Sequence, residues 1–360
     1  LKIKEDGPQL FNKRTGLCVG LAKSTLLHLL SRYPYIRRVN GFLPAKIHIL
    51  LTQRCNYHCR YCYSDKNNYE IDILLLKTYL DALKRNGVLQ LAVGGGEPLL
   101  YPHLMEFLRY ASDYEFVINI TTNGSLVTKE LASKIKGYVS SIQVSLNGSS
   151  QSINSQTRDR RSFKDAIRTI EILKSSQIDV GINYLLFVEN LGDLPRMAKL
   201  IKTLELRRII IIRPKIKEEY PEDYPGLVRE QIFKMRKIYP SIEFRVDCGF
   251  SALFNNISSL ELSKHGIFGC QAGKDFLILK PDGCFYPCCF LDEPGFKLDQ
   301  DFKSNYYRML SYLDTIKKTI EGNCAQCKII DNCFGCRGIV RLTGNNIMDS
   351  DPICKGVNNG

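Results

Sequence analysis

Between residues 46 and 246, short β-branched or apolar runs alternate with longer amphipathic segments, the pattern of βα units around a parallel sheet. The runs predict strands over 46–52, 89–94, 116–121, 139–146, 180–187 and 208–213, and the intervening periodicity predicts helices over 70–86, 102–113, 128–136, 162–175, 193–203 and 226–238. Six repeats fall short of an eight-fold barrel. The expected fold is therefore α/β, a partial (β/α)6 TIM-like barrel open on one side, with its site at the C-terminal ends of the strands. After about residue 246 the alternation stops. The run Phe276–Pro287 reads as a hairpin turning at Pro281-Asp282-Gly283, and a helix is expected over 303–321. Too little apolar material surrounds the many cysteines there for an ordinary core, which predicts a small cysteine-rich domain held by metal centres. The expected organisation is a basic N-terminal extension over 1–42, the barrel over 43–246 and the cysteine-rich domain over 247–360.

Composition adds limits. With 44% hydrophobic and 24% charged residues, the chain has ordinary globular usage and can bury a core. No apolar run approaches the roughly 18 residues of a membrane span, so no membrane partner is expected. The N-terminus, Leu-Lys-Ile-Lys-Glu-Asp, lacks an apolar secretory segment, and a cytoplasmic location is expected. The net charge is 50 − 37 = +13, and residues 1–46 hold nine basic and two acidic side chains. A basic N-terminal end suggests an acidic partner. Nucleic acid is not expected to be that partner, since zinc-finger spacing, single-strand-binding aromatics and a dense basic arm are all missing from the sequence.

Fourteen cysteines in a chain without secretory features point to metal or cluster ligation rather than disulfides. Three stand directly after the first barrel strand, in Cys55-Asn-Tyr-His-Cys59-Arg-Tyr-Cys62. Thiolates at this spacing can wrap three irons of a [4Fe–4S] cluster and leave the fourth iron open. Tetrahedral zinc would need a fourth ligand, and His58 inside the loop is poorly placed to be one. Ten more cysteines follow from Cys248 onward.

The cysteine loop, with Tyr61 before its last thiol, resembles the hallmark of the radical S-adenosylmethionine (SAM) enzymes. Further segments match in order: Gly94-Gly95-Gly96-Glu97-Pro98, Asn119-Ile-Thr121-Thr-Asn123-Gly and Val144-Ser145-Leu-Asn-Gly148, with Ile212 ending the sixth strand. The resemblance implies that Gly95, Gly96 and Glu97 meet the methionine ammonium, that Ser145 meets the ribose and that Arg158 meets the methionine carboxylate. Arg160 and Arg161 are alternatives to Arg158. Tyr61, Thr121, Asn123 and Ile212 complete the expected cofactor set.

The later cysteines, Cys270-x12-Gly283-x4-Cys288, Cys324-x2-Cys327-x5-Cys333-x2-Cys336 and Cys354, resemble the SPASM extension, which holds two auxiliary [4Fe–4S] clusters. Here two residues separate Cys333 from Cys336, where the family usually has three. The resemblance implies three clusters in all. Cys270, Cys288 and Cys336 would hold the first auxiliary cluster, and Cys324, Cys327, Cys333 and Cys354 the second. The fourth position of the first is left to Cys284, Cys289 or an open iron. Cys284 is favoured because strand alternation puts it on the Cys288 face. Cys18 and Cys248 are unassigned, with Cys248 a candidate hydrogen-atom donor if it faces the cavity. His28, His48, His103 and His265 read as structural.

The implied activity is reductive cleavage of SAM to a 5′-deoxyadenosyl radical, which abstracts a hydrogen from a peptide. The expected role is maturation of a ribosomally made peptide by crosslinking, epimerisation or oxidation. The implied partners are a peptide substrate with an acidic leader and an electron donor such as flavodoxin or ferredoxin. The alternatives are oxidation or epimerisation of a small molecule such as a sugar or haem precursor, sulfatase maturation and, outside catalysis, a zinc-binding adaptor.

Overall fold

The computed structural model describes residues 2–4, 7–11, 18–20, 39–64, 67–254 and 269–354. His28 and His265 lie outside them, as does much of the basic extension. The backbone of that extension forms a four-stranded sheet, β1 (Lys2–Lys4), β2 (Gly7–Phe11), β3 (Cys18–Gly20) and β4 (Val39–Asn40), in the order β3-β2-β1-β4.

The main sheet has nine strands. The six expected barrel strands are β5 (Lys46–Thr52), β6 (Gln90–Gly95), β7 (Val117–Thr122), β8 (Ser141–Ser145), β9 (Val180–Leu185) and β10 (Arg208–Ile212). The helices between them are α1 (Ile73–Arg85), α2 (Leu104–Asp113), α3 (Lys129–Ile135), α4 (Ser162–Ser175) and α5 (Leu194–Thr203), and α6 (Tyr224–Ile238) follows β10. Local chemistry sets their starts: Asp72 accepts from the Leu75 N–H at 2.8 Å and Thr128 from the Leu131 N–H at 3.1 Å. Period-2 alternation divides each strand. Ile118, Ile120, Ile142, Val144, Ile182 and Tyr184 are buried in the apolar core, whereas Asn119, Thr121, Gln143, Ser145 and Asn183 occupy the intervening positions on the opposite face. The barrel thus has a greasy exterior under its helices and a polar interior.

Two features extend the six-repeat expectation. A seventh parallel strand, β11 (Glu243–Val246), pairs with β10. It is only four residues long, carries Glu243 and Arg245, and forms the sheet edge, so it has no apolar run to announce it. The expected hairpin is present as β12 (Phe276–Leu279) and β13 (Phe285–Tyr286), but β12 also pairs in parallel with β5. The sheet order is β11-β10-β9-β8-β7-β6-β5-β12-β13. The cysteine-rich region is therefore continuous with the barrel, sealing the edge beside the strand that feeds the cysteine loop. The last long helix, α7 (Phe302–Lys318), packs Phe302 and Tyr306 against Phe296.

Candidate active site

The Cys55–Cys62 loop is tied down from several sides. The Asn123 amide donates to Asn56 Oδ1 at 2.9 Å and reaches Cys55 Sγ at 3.8 Å, while the Asn56 amide donates to Ser125 Oγ at 2.8 Å. Tyr57 is buried and donates to Asp165, and the Arg60 N–H donates to the Thr157 carbonyl at 3.1 Å. Burial raises the pKa of the Cys55 thiol, and nearby Glu97, Cys62 and Cys59 add to the rise. Three half-buried thiols crowding one another fit a cationic iron–sulfur core that would take them as thiolates. His58 is exposed, which leaves it outside the thiol group.

The glycine segment packs on the stem of this loop. Gly95 has φ +126°, and a Cβ there would fall 2.3 Å from the Thr52 carbonyl oxygen; one on Gly96 would fall 2.1 Å from that of Arg54. The Gly96 and Glu97 N–H groups donate to those same two carbonyls at 2.7 Å. Glycine is required here by close approach of backbones. Glu97 is fully buried, and its carboxylate accepts from Thr122 Oγ1 (2.7 Å), the Asn123 N–H (2.7 Å) and the Leu99 N–H (3.2 Å). Burial pushes its pKa up to about 7, against the lowering effect of these bonds. Three protein donors already meet the carboxylate, which joins β6, β7 and, through Asn123, the cysteine loop.

Among the three candidate arginines, Arg160 and Arg161 are exposed and Arg158 is buried. Arg158 donates to the Tyr61 hydroxyl, and its Nε has no hydrogen-bond partner. Asn183 Oδ1 and Gln143 Oε1, from the polar barrel interior, are likewise buried without partners. Ser145 is the register partner of Asn183, whose amide donates to Thr121 Oγ1 at 3.4 Å. Ile212 ends β10 opposite Leu185. A polar ligand in the barrel would give these orphaned atoms partners.

Sequence reasoning missed Asn147, Asn154 and Asn190. Asn147 is fully buried: its N–H donates to Asn154 Oδ1 (2.8 Å), its amide to Thr157 Oγ1 (3.1 Å), and its Oδ1 accepts from the Leu185 N–H (3.2 Å). This web fixes the turn that carries Arg158. Asn147 stood within the quoted Ser145–Gly148 segment, but nothing in the sequence announced its partners.

The C-terminal cysteines form two sets. Cys324 and Cys354 are hydrogen-bonded to each other, with Cys327 and Cys333 beside them. In the other set, Cys248 hydrogen-bonds Cys270, Cys288 hydrogen-bonds Cys289 and neighbours Cys270, and Cys336 neighbours Cys288. Lys215, ion-paired with Asp247, stands against Cys336 and Cys248. The expected fourth member, Cys284, is elsewhere. Its N–H donates to Asp282 Oδ1 at 2.8 Å, and its thiol neighbours Asp282, Lys297 and Tyr286. The strand is the reason: β13 ends at Tyr286 and the chain turns at Cys288–Leu291, so alternation does not carry from 284 to 288. Cys248, weighed in sequence as a hydrogen donor, joins this set and does not line the cavity described next; Cys289 does. Of Cys18 only the backbone, in β3, is described.

That cavity, of about 490 Å³, opens between the barrel mouth and the cysteine-rich region. Tyr61, Cys62 and Gly95 line it from one side and Lys215, Cys289 and Phe290 from the other. Tyr63 and Phe290 meet edge-on across the junction at 5.4 Å between centroids.

The family model of the radical SAM superfamily matches residues 49–201. These residues are a radical SAM domain. A [4Fe–4S] cluster and SAM belong to the chemistry of that domain. Beyond it, the chain is 27% identical over 320 residues to the mycofactocin maturase MftC of Mycolicibacterium smegmatis, covering 84% of this chain and 81% of the relative. It is 24% identical over 340 residues to an AdoMet-dependent heme synthase of Methanosarcina barkeri, covering 84% and 94%. In fold it matches Streptococcus suis SuiB, solved with its precursor peptide SuiA, at a TM-score of 0.77 and 16% identity over 98% of this chain and 97% of that one. The partial radical SAM barrel with a cysteine-rich C-terminal region is thus shared along nearly the whole chain. No described helix is long and apolar enough to cross a membrane.

Proposed function

We propose that this chain is a radical SAM maturase of a ribosomally made peptide. The observation that carries the reading is the cavity, where the loop of Cys62, the Gly95 backbone and Tyr61 face the cysteine-rich region across a space open to a side chain of an extended substrate. Relatives named as a mycofactocin maturase and as a bacteriocin subtilosin biosynthesis protein support it. When bound, the cluster and SAM would supply a carbon radical able to take a hydrogen atom from the substrate. Cys55, Cys59 and Cys62 would hold the cluster. The Gly95 and Gly96 backbone and the orphaned donor of Arg158 would receive the amino-acid end of SAM, with Ser145, Thr121, Asn183 and Ile212 along its nucleoside. Glu97 and Asn123 would hold the receiving backbone in place. Cys248, Cys270, Cys288 and Cys336 would bind one auxiliary cluster, and Cys324, Cys327, Cys333 and Cys354 another.

The electron would come from a small carrier such as flavodoxin or ferredoxin, and the basic N-terminal region would attract an acidic leader. Oxidation of a haem precursor is the second reading, favoured by the relative from Methanosarcina barkeri. The two are separated by anaerobic incubation of the reconstituted protein with SAM, reductant and, in turn, peptides encoded beside its gene and iron-coproporphyrin. A mass change in a peptide supports the maturase. Turnover of the porphyrin alone overturns it.

A further inference from the structure

Two arginines are almost completely buried beside the C-terminal cysteines, and they differ in how their charge is met. Arg213 forms a bidentate pair with Asp351, both contacts at 2.8 Å. Arg337, only 2% exposed, has no such partner. Its Nη1 donates to the carbonyls of Ile347 (2.7 Å) and Asp349 (2.6 Å), while its Nε and Nη2 are buried without a hydrogen-bond partner. No ion pair of Arg337 is found among the described residues. A guanidinium cannot shed its proton, and burying a charge without an opposite one is costly. Two carbonyl dipoles and the Phe334 ring, its centroid 6.0 Å from the guanidinium carbon, meet the group without supplying an opposite charge.

The surroundings indicate where the missing anion belongs. Arg337 follows Cys336 directly, and its carbonyl partners lie on the segment leading to Cys354. Asp351, whose N–H donates to Cys324 Sγ at 3.4 Å, flanks the same Gly335 backbone as the Arg337 guanidinium. Gly335, at φ +61°, leaves room for the group: a Cβ there would fall 2.4 Å from Arg337 Nη2.

We propose that Arg337 is the counter-charge and hydrogen-bond donor for an iron–sulfur cluster held by Cys324, Cys327, Cys333 and Cys354. The inference rests on reading that cysteine set as a cluster site. Four thiolates on a cubane core make a net-negative group, and reduction makes it more negative. Hydrogen bonds and charge beside such a cluster set its potential, so Arg337 favours the reduced state and raises the potential. It is a positioning residue, acting on the cluster's charge rather than on substrate.

The test compares Arg337→Met and Arg337→Lys in the full chain reconstituted anaerobically, with iron and sulfide counted and the clusters titrated potentiometrically under EPR. The relevant auxiliary signal is the one that Cys327→Ala abolishes. The proposal expects Arg337→Met either to shift that signal to a more negative potential or to lose about four irons, the content of one cubane, while Arg337→Lys stays near wild type. Wild-type iron and potential in Arg337→Met would overturn it, as would equal loss in both variants, which would mark a role of shape. If Cys327→Ala keeps wild-type iron, the cluster reading of this cysteine set fails and the role of Arg337 fails with it.

Discussion

Arg158, on the turn after β8, donates from a buried position to the hydroxyl of Tyr61, the residue before the third cysteine of the loop. One side chain thus fastens the cysteine loop to the barrel and keeps an unbonded, buried N–H.

Replacing Arg158 by Met should weaken SAM binding by about 1.5–3 kcal/mol, the worth of a hydrogen bond to a charged group. Arg160→Ala and Arg161→Ala should leave it unchanged, because both side chains are exposed. Equilibrium dialysis with the reconstituted protein checks this, and equal effects from all three would make the segment a general basic loop.

Glu97 gives a pH prediction. Burial lifts its pKa from 4.5 to about 7 in the folded chain, so the folded state holds a proton that the unfolded state has released between those values. The associated stability is present below about pH 4.5 and is lost as pH rises to about 7. Melting temperatures of the SAM-free protein from pH 5 to 8 should fall more steeply for wild type than for Glu97→Gln. Parallel curves would show that Glu97 is ionised throughout.

For the first auxiliary set, Cys248→Ala should cost about four irons, as Cys270→Ala should, if each set binds one cubane. Cys284→Ala should keep full iron, since its thiol sits among Asp282, Lys297 and Tyr286. The reverse outcome would return the fourth position to Cys284.

Asp351 joins the barrel to both cysteine sets. Besides Arg213 on the barrel side, it accepts from the Cys336 N–H at 2.6 Å, and its own N–H donates to Cys324 Sγ at 3.4 Å. Asp351→Asn leaves Arg213 buried without its counter-ion and should cost about 3–5 kcal/mol of stability. Denaturant unfolding measures it, and a change under about 1 kcal/mol would show that the pair adds little beyond packing.

The barrel was legible because each β-branched run is followed by an amphipathic helix, and the SAM-binding candidates because Gly95, Asn123 and Ser145 stand at strand ends in order. What escaped depends on partners distant in sequence. β11 has four residues at an edge, and β12 declares a hairpin without declaring that it joins β5. Cys248 lies 22 positions before Cys270 and outside the cysteine spacing of the motif, and only the fold brings the two thiols into hydrogen-bond contact. Glu97 matched its motif, yet the donors from Thr122 and Asn123 that occupy its carboxylate belong to a different strand end.

The central claim is that Cys55, Cys59 and Cys62 support radical chemistry on SAM, directed at a peptide. The direct measurement is 5′-deoxyadenosine formed by the anaerobically reconstituted protein with SAM and reductant, in wild type and in the Cys55→Ala/Cys59→Ala/Cys62→Ala variant, with and without the adjacent peptide. The account predicts formation in wild type, a rise together with a peptide mass change when the peptide is present, and none in the variant, which keeps its auxiliary irons. Undiminished formation in the variant, or none in a wild-type protein carrying its full iron, would contradict it.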